Sequence, residues 1–291
     1  MSPVLVRSHA GLEAVRANLA PPVVLVPTMG ALHDGHRTLL RLARELAGPG
    51  GTVMASVFVN PLQFGPAEDF DRYPRPLNAD LDVCAQEGVG WVFAPGPRVM
   101  YPRPQAITVD PGPAGRLLEG EFRPGFFTGV LTVVLKLLEL TRPQVAVFGE
   151  KDAQQLALIR RMTADLNLPV RIESVPISRD PDGLATSSRN VYLSAADRAV
   201  ALAIPAALAA GRDAARDGPK AVLAAAQHVL DTRAGQALAL DYLTLADPEN
   251  FTPVDEAHTG PALLALAAKV GATRLIDNMP LALDSQRSVE P

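Results

Sequence analysis

Two histidines, His33 and His36, stand three positions apart around a glycine in His33-Asp34-Gly35-His36. They end the run Pro27-Thr28-Met29-Gly30-Ala31-Leu32, which leaves a β-rich stretch at 23–26. A helix is predicted over 36–46, where Leu39, Leu40 and Ala43 fall at helical spacing. A helix start offers unpaired N–H groups and the positive end of the dipole, so it favours phosphate. Gly30 and Gly35 let backbone approach such a group closely. A metal pair is a second reading, but it wants a third ligand or a His-Glu-x-x-His helix, and neither is here. Two structural histidines are the third. Position, glycines and the histidine pair agree best on phosphate.

Three further segments could bind polar ligands. Gly149-Glu150-Lys151-Asp152 again follows a predicted strand and opens a helix, and Lys151 is a mobile point charge suited to phosphate. The same tetrapeptide also makes a plain exposed turn, and Gln154-Gln155 beyond it could be surface residues. Thr186-Ser187-Ser188-Arg189-Asn190 combines hydroxyls with a guanidinium, which suits a triphosphate, or forms a helix-capping loop. In Asn60-Pro61-Leu62-Gln63-Phe64-Gly65 two amides share one loop; turn chemistry accounts for Asn60 and Gly65 but does not require Gln63. Cys84, the single cysteine, lies in a helical pattern and reads as a small core residue. His9, His228 and His258 have no partners in sequence, and no nucleophile-elbow pattern occurs.

The elements that must carry these residues alternate. Strands are predicted at 23–26, 52–59, 91–93, 145–148 and 170–175, with helices at 36–46, 78–87, 127–140 and 153–166. Within the Pro- and Gly-rich stretch 94–125, only 107–109 looks strand-like. Such alternation implies a doubly wound parallel sheet with helices on both faces and ligands at the strands' carboxyl ends. From residue 177 the character shifts to alanine-rich helices at 195–216 and 220–233, then strands at 241–245, 262–270 and 275–277. The expected domains are therefore 1–176, Rossmann-like, and 177–291, a smaller α+β unit. With 291 residues, 48% of them hydrophobic, the chain can bury two ordinary cores. A net charge of −4 gives no overall pull toward nucleic acid or anionic membrane. One cysteine, no apolar run long enough to span a bilayer and no signal-like start point to a cytoplasmic protein.

Taken together, these segments resemble the pantothenate synthetase (pantoate–β-alanine ligase) family over roughly residues 20–280. The resemblance rests on the runs 27–36, 58–65 and 148–152, on Gln154-Gln155-Leu156, on Asp182-Gly183-Leu184-Ala185 and on 187–193. It implies a fold of the His-x-Gly-His nucleotidyltransferase type with the smaller domain as a lid. The implied activity is ATP-dependent condensation of pantoate with β-alanine through a pantoyl adenylate, releasing pyrophosphate and then AMP. His36, His33 and Lys151 take the catalytic roles. ATP falls to Met29, Gly30, Ala31, Leu32, His33, Asp34, Gly35 and His36, to Gly149, Glu150, Lys151 and Asp152, and to Ser178, Thr186, Ser187, Ser188 and Arg189. Pantoate falls to Gln63, Gln155, Met29 and Asn60, and β-alanine to Gln63. Mg²⁺ accompanies ATP, with Asp80 near the ion through water. The resemblance also implies a homodimer. Where the family has an aromatic residue this chain has Ala153, where it has a histidine Phe126, and where it has an acid Ala79.

Other functions compete with the ligase. A nucleotidyl transferase acting on a phosphorylated precursor would want a phosphate site, whereas Gln63 with Gln155 suits a hydroxylated carboxylic acid. A non-catalytic ATP sensor needs only backbone and one cation, not His33 with His36. An aminoacyl-tRNA synthetase is disfavoured by the acidic charge and the missing anticodon domain.

Overall fold

The computed structural model describes residues 2–66 and 68–283, so 284–291 of the expected second domain lie outside the described residues. The residues through Glu150 pack with Gln155–Ile177 as one unit, and Lys151–Gln154 pack with the residues from Ser178 onward as the other.

The first unit is built on six parallel strands: β1 (Val4–Val6), β2 (Val23–Thr28), β3 (Thr52–Val57), β4 (Trp91–Phe93), β5 (Val145–Gly149) and β6 (Arg171–Val175). Their spatial order is β1-β4-β3-β2-β5-β6, so the winding reverses between β2 and β5. Helices α1 (His9–Arg16), α2 (Asp34–Ala47), α3 (Leu77–Gln86), α6 (Phe126–Thr141) and α7 (Ala153–Asp165) accompany the strands, with the single turns α4 (Pro97–Met100) and α5 (Glu119–Phe122) between them. Alternation along β2 serves two cores: Leu25 faces α6 and α7 with Met54, Phe93 and Phe127, while Val24 and Val26 meet Leu40, Ala43 and Val53 on the opposite side. Cys84 belongs to that second core, where burial pushes its thiol up to about 12. Pairing of β2 with β3 runs to Thr28↔Val57, but pairing with β5 stops at Leu25↔Ala146. Pro27 has no N–H with which to extend the β5 ladder. The two strands therefore part at their carboxyl ends, where a doubly wound sheet binds its ligands.

The second unit is a three-stranded antiparallel sheet, β7 (Leu238–Ala246), β8 (Gly260–Val270) and β9 (Thr273–Leu283), in sequence order. It packs with α8 (Ala195–Ala201), α9 (Ala203–Asp213) and α10 (Pro219–Arg233) around Ile204, Leu208, Val222 and Leu264.

Several elements differ from the sequence reading. The helix expected over 195–216 is broken at Leu202, because Pro205 can neither donate to the preceding turn nor fit its carbonyl. Residues 107–109 form no strand: Ile107 is 81% exposed, and the Val109 N–H goes to Thr132 Oγ1 at 3.0 Å. The strand expected over 52–59 ends at Val57, before a 3₁₀ turn at Pro61–Gln63. β1 and α1 carry too little pattern to be read from sequence, being three and eight residues long.

One close approach fixes where α6 lies. A Cβ on Gly129 would sit 2.1 Å from the Leu62 carbonyl oxygen, so the helix backbone rests directly on the Pro61–Gln63 turn. Gly129→Ala is expected to lower stability by about 1–3 kcal/mol through overpacking. Gly96→Ala, with nothing within 4 Å of the new Cβ, should stay within about 0.5 kcal/mol of the parent. Urea unfolding midpoints of the two variants check the difference.

Candidate active site

The chain leaves β2 at Thr28 through a turn that no ordinary backbone conformation could make. Gly30 has φ +83° and Ala31 φ +52°, both left-handed. Their conformation aims two consecutive N–H groups, of Ala31 and Leu32, at the buried Asp80 on α3: Ala31 N–H reaches Oδ2 at 3.1 Å and Leu32 N–H reaches Oδ1 at 2.8 Å. Thr28 Oγ1 accepts from Gly30 N–H at 3.1 Å and donates to Ser56 O at 2.7 Å, tying the turn to β3. A side chain at Gly30 would meet Asp80 Oδ2 at 2.8 Å and Val57 Cγ1 at 2.9 Å. Burial pushes the Asp80 carboxyl above its ordinary range, and the two N–H bonds pull it partly back.

The turn delivers His33 as the N-cap of α2, whose start at Asp34 is two residues earlier than the sequence reading placed it. His33 and His36 lie together, ring centroids 4.0 Å apart, and the His33 N–H points to His36 Nδ1 at 3.3 Å. With Nδ1 accepting, the neutral His36 ring carries its proton on Nε2. The Asp34 side chain is 94% exposed, 3.8 Å from the guanidinium of Arg37.

Beside this turn stands a group of amides. Gln63 Nε2 lies 3.2 Å from Met29 Sδ, and Gln63 Oε1 accepts from Asn60 Nδ2 at 3.0 Å. Asn60 is 1% exposed and receives the Tyr101 hydroxyl at 2.8 Å. Arg123 grips the same loop from outside, donating to Gln63 O at 3.2 Å and forming a two-point pair with Glu68. Its guanidinium lies 3.7 Å from the Phe126 ring centroid, so the phenylalanine serves as a stacking platform. Met29 and Asp80 also line a cavity of about 210 Å³ with Phe58, Phe70, Arg75 and Leu77.

At the end of β5, Gly149 has open space around it, whereas Glu150 Oε1 accepts from Ser174 Oγ at 2.8 Å and so faces β6. Gln155 is half-buried on α7 and Gln154 is buried, which leaves no room for the surface alternative at Gln154.

The remaining expected residues lie in the second unit. Lys151 and Asp152 are half-buried, and the Lys151 carbonyl accepts from Asn278 Nδ2 at 2.9 Å. Ser178 and Thr186 close a short hairpin, Thr186 N–H to Ser178 O at 2.9 Å. The Thr186 hydroxyl goes to Asp180 at 2.7 Å, and Ser187 caps the 3₁₀ turn Ser188–Tyr192 through the Arg189 N–H at 3.2 Å. The capping-loop alternative thus accounts for the Ser187 hydroxyl, and Ser188 and Arg189 follow half-buried on the turn itself. Two guanidinium clamps hold this hairpin: Arg179 on the buried Asp277, at 2.7 and 3.0 Å, and Arg198 on Asp180 and Asp182, each at 2.7 Å. Although partial burial raises the Asp180 carboxyl, bonds from Arg198, Thr186 and Asn190 outweigh it and hold the group below its ordinary value.

Sequence reasoning missed Tyr101, Gly129, Asp277, Asn278 and the loop-holding role of Asp80. Tyr101 sits in a Pro-rich stretch with no period, Gly129, Asn278 and Asp80 meet backbone far away in sequence, and Asp277 meets the distant Arg179 guanidinium. The one available signal was a polar pair, Asp277-Asn278, inside an otherwise apolar strand.

An α/β protein whose parallel sheet opens between β2 and β5, with His33-Asp34-Gly35-His36 at the helix start there, falls first into the class of His-x-Gly-His doubly wound folds. The sequence profile of the pantoate–β-alanine ligase family matches residues 5–280. The chain is 60% identical to the pantothenate synthetase of Thermobifida fusca, covering 97% of each chain, and 56% identical to that of Acidothermus cellulolyticus, covering 96% of this chain and 92% of the other. Among solved structures, pantothenate synthetase from Thermus thermophilus superposes with a TM-score of 0.87 at 45% identity, over 94% of this chain and 98% of that one. Pantoate–β-alanine ligase from Francisella tularensis, complexed with β-γ ATP and β-alanine, gives 0.79 at 31% identity, over 96% and 97%. This chain belongs to the pantoate–β-alanine ligase family.

Asp80→Asn tests the turn. An asparagine offers one acceptor where two N–H groups must be met, leaving a buried donor facing an amide. Stability is expected to fall by about 1–3 kcal/mol, with amide exchange at Ala31 and Leu32 accelerated. Unchanged exchange at both residues would show that the carboxylate does not hold the turn.

Proposed function

We propose that this chain condenses pantoate with β-alanine in two steps that share one activated acyl group. The pantoate carboxylate attacks the α-phosphorus of ATP, forming the C–O–P anhydride of pantoyl adenylate and expelling pyrophosphate. The β-alanine amine, after losing a proton, then attacks the acyl carbon, and the acyl C–O bond breaks to release AMP with pantothenate. The observation that carries this reading is the placement of a phosphate-directed helix start, His33 to His36, beside the Met29–Gln63–Asn60 amide group at the opening of the sheet. Membership of the ligase family supports the same substrates.

Each residue type has a physical reason for its role. His36 donates to the oxygens of the α-phosphorus as negative charge grows there, and His33 completes that environment. Gln63 binds the acid, with Gln155 as a second amide and Met29 as apolar wall. Lys151, Ser188 and Arg189 are the groups for the triphosphate and the departing pyrophosphate. No nucleophilic side chain is required, since the adenylate itself stores the activation.

Mg²⁺ enters as part of the nucleotide substrate, held by phosphate oxygens and water. Among the described residues no three His, Cys, Asp or Glu side chains gather as a metal cage, and both Asp80 oxygens are engaged by backbone N–H groups. In this reading Asp80 holds the turn and lies near the ion only through water. No helix among the described residues is long and apolar enough to cross a membrane.

Labelled pyrophosphate is expected to exchange into ATP when pantoate is present and β-alanine is absent. In His36→Ala the exchange rate should drop about 10²–10³-fold with folding intact. An exchange that strictly requires β-alanine would contradict the stepwise route, and a His36→Ala rate within about threefold of the parent would remove His36 from the chemistry.

A further inference from the structure

Asn60 has its whole hydrogen-bonding capacity used inside the protein. Its Oδ1 accepts from Leu62 N–H at 3.3 Å and from the Tyr101 hydroxyl at 2.8 Å, while its Nδ2 donates to Gly129 O at 3.1 Å and to Gln63 Oε1 at 3.0 Å. Two of these partners are backbone groups of unalterable polarity. A backbone N–H can only donate and a carbonyl can only accept, so Leu62 and Gly129 decide which end of the Asn60 amide is oxygen. The side-chain bonds then follow without choice. Tyr101 must donate to Oδ1, and the second Nδ2 hydrogen must go to Gln63 Oε1. That turns the Gln63 carbonyl inward and its NH₂ outward, where among the described residues it meets only Met29 Sδ, a weak acceptor, at 3.2 Å. An oxygen ligand would displace such a contact readily.

We propose that Asn60, oriented by Leu62 and Gly129 and held in that orientation by the Tyr101 hydroxyl, is a positioning residue that fixes the polarity of the Gln63 amide, so that Gln63 meets its acid substrate as an N–H donor. Asn60, assigned to pantoate on resemblance, then belongs with Tyr101 as support rather than as a ligand contact. This rests on the reading of Gln63 as an acid-binding residue. The hydroxyl suits this role, because burial pushes the Tyr101 phenol well above its ordinary value and it stays a donor at any physiological pH. Its ring is held between Phe58, at 6.0 Å between centroids, and the Lys136 ammonium, 5.3 Å from the ring centre. A carboxylate is the ligand for which donor polarity matters most, because a carbonyl turned outward would repel it.

Tyr101→Phe keeps the ring and removes only the donor. It is expected to raise the pantoate KM about tenfold, one hydrogen bond's worth, with ATP KM and kcat within about twofold of the parent. Gln63→Glu is expected to bind pantoate more weakly than Gln63→Ala, because a carboxylate oxygen then faces the acid. A shared rise of both KM values in Tyr101→Phe, or no rise, would overturn the proposal, as would Gln63→Glu binding pantoate no worse than Gln63→Ala. The side-chain amide signals of Asn60 and Gln63 in ¹⁵N-labelled protein give a readout that needs no substrate. In Tyr101→Phe both should shift, and unchanged signals would overturn the positioning role. Absence of pantoate-dependent turnover in the parent would remove the functional reading alone, and the amide signals would then decide the positioning claim.

Discussion

The site depends on a buried carboxylate held by backbone. Asp80 lies on α3, far in sequence from the turn it serves, yet both its oxygens are taken by consecutive N–H groups of Ala31 and Leu32. Two left-handed residues in a row, one of them an alanine, are unfavourable without compensation, and the two charge-assisted bonds supply it. Burial alone penalises the ionised acid, so carboxylate and turn stabilise each other. From this pairing follow the place where α2 begins and the approach of the His33 and His36 rings, 4.0 Å between centroids and tilted by 45°. The start of α2 is thus positioned by an internal anion that occupies the turn before it.

A second constraint acts through polarity rather than position. Gly129 lets α6 approach the Pro61–Gln63 turn closely enough for its carbonyl to accept from Asn60, and that contact starts the chain of fixed amide orientations ending at Gln63. Arg123, stacked on Phe126 and paired with Glu68, holds the same turn by the Gln63 carbonyl. Phe126 thereby has a clear packing role. In the second unit the same logic recurs with ions: Arg179 and Arg198 clamp the hairpin that leads into Ser187–Arg189, and Asn278 holds the backbone of Lys151.

The parallel sheet was legible because its strands are short apolar runs separated by helical patterns, and the candidate site was readable as a proposal because its motifs sit where those patterns change. Pro27, Gly30 and the His33–His36 spacing all carried local signals. What stayed hidden were partners joined only by folding. Asp80 reads as one acid among several on a helix, and Tyr101 as a residue in irregular chain. Gly129 reads as a weakness in an apolar helix until the Leu62 carbonyl is seen 2.1 Å from where its Cβ would be. The strand expected at 107–109 failed for the converse reason. Three β-prone residues sufficed as pattern, but the Val109 N–H found Thr132 on α6 instead of a neighbouring strand.

The central claim is that the acid's own oxygen is joined to the α-phosphorus before the amine arrives. Pantoate labelled with ¹⁸O in both carboxyl oxygens, turned over with ATP, Mg²⁺ and β-alanine, tests it by mass spectrometry of the products. The stepwise route predicts one ¹⁸O in AMP and one retained in the amide carbonyl of pantothenate. AMP free of label would contradict it, as would label appearing in inorganic phosphate beside ADP, which would place the attack at the γ-phosphorus.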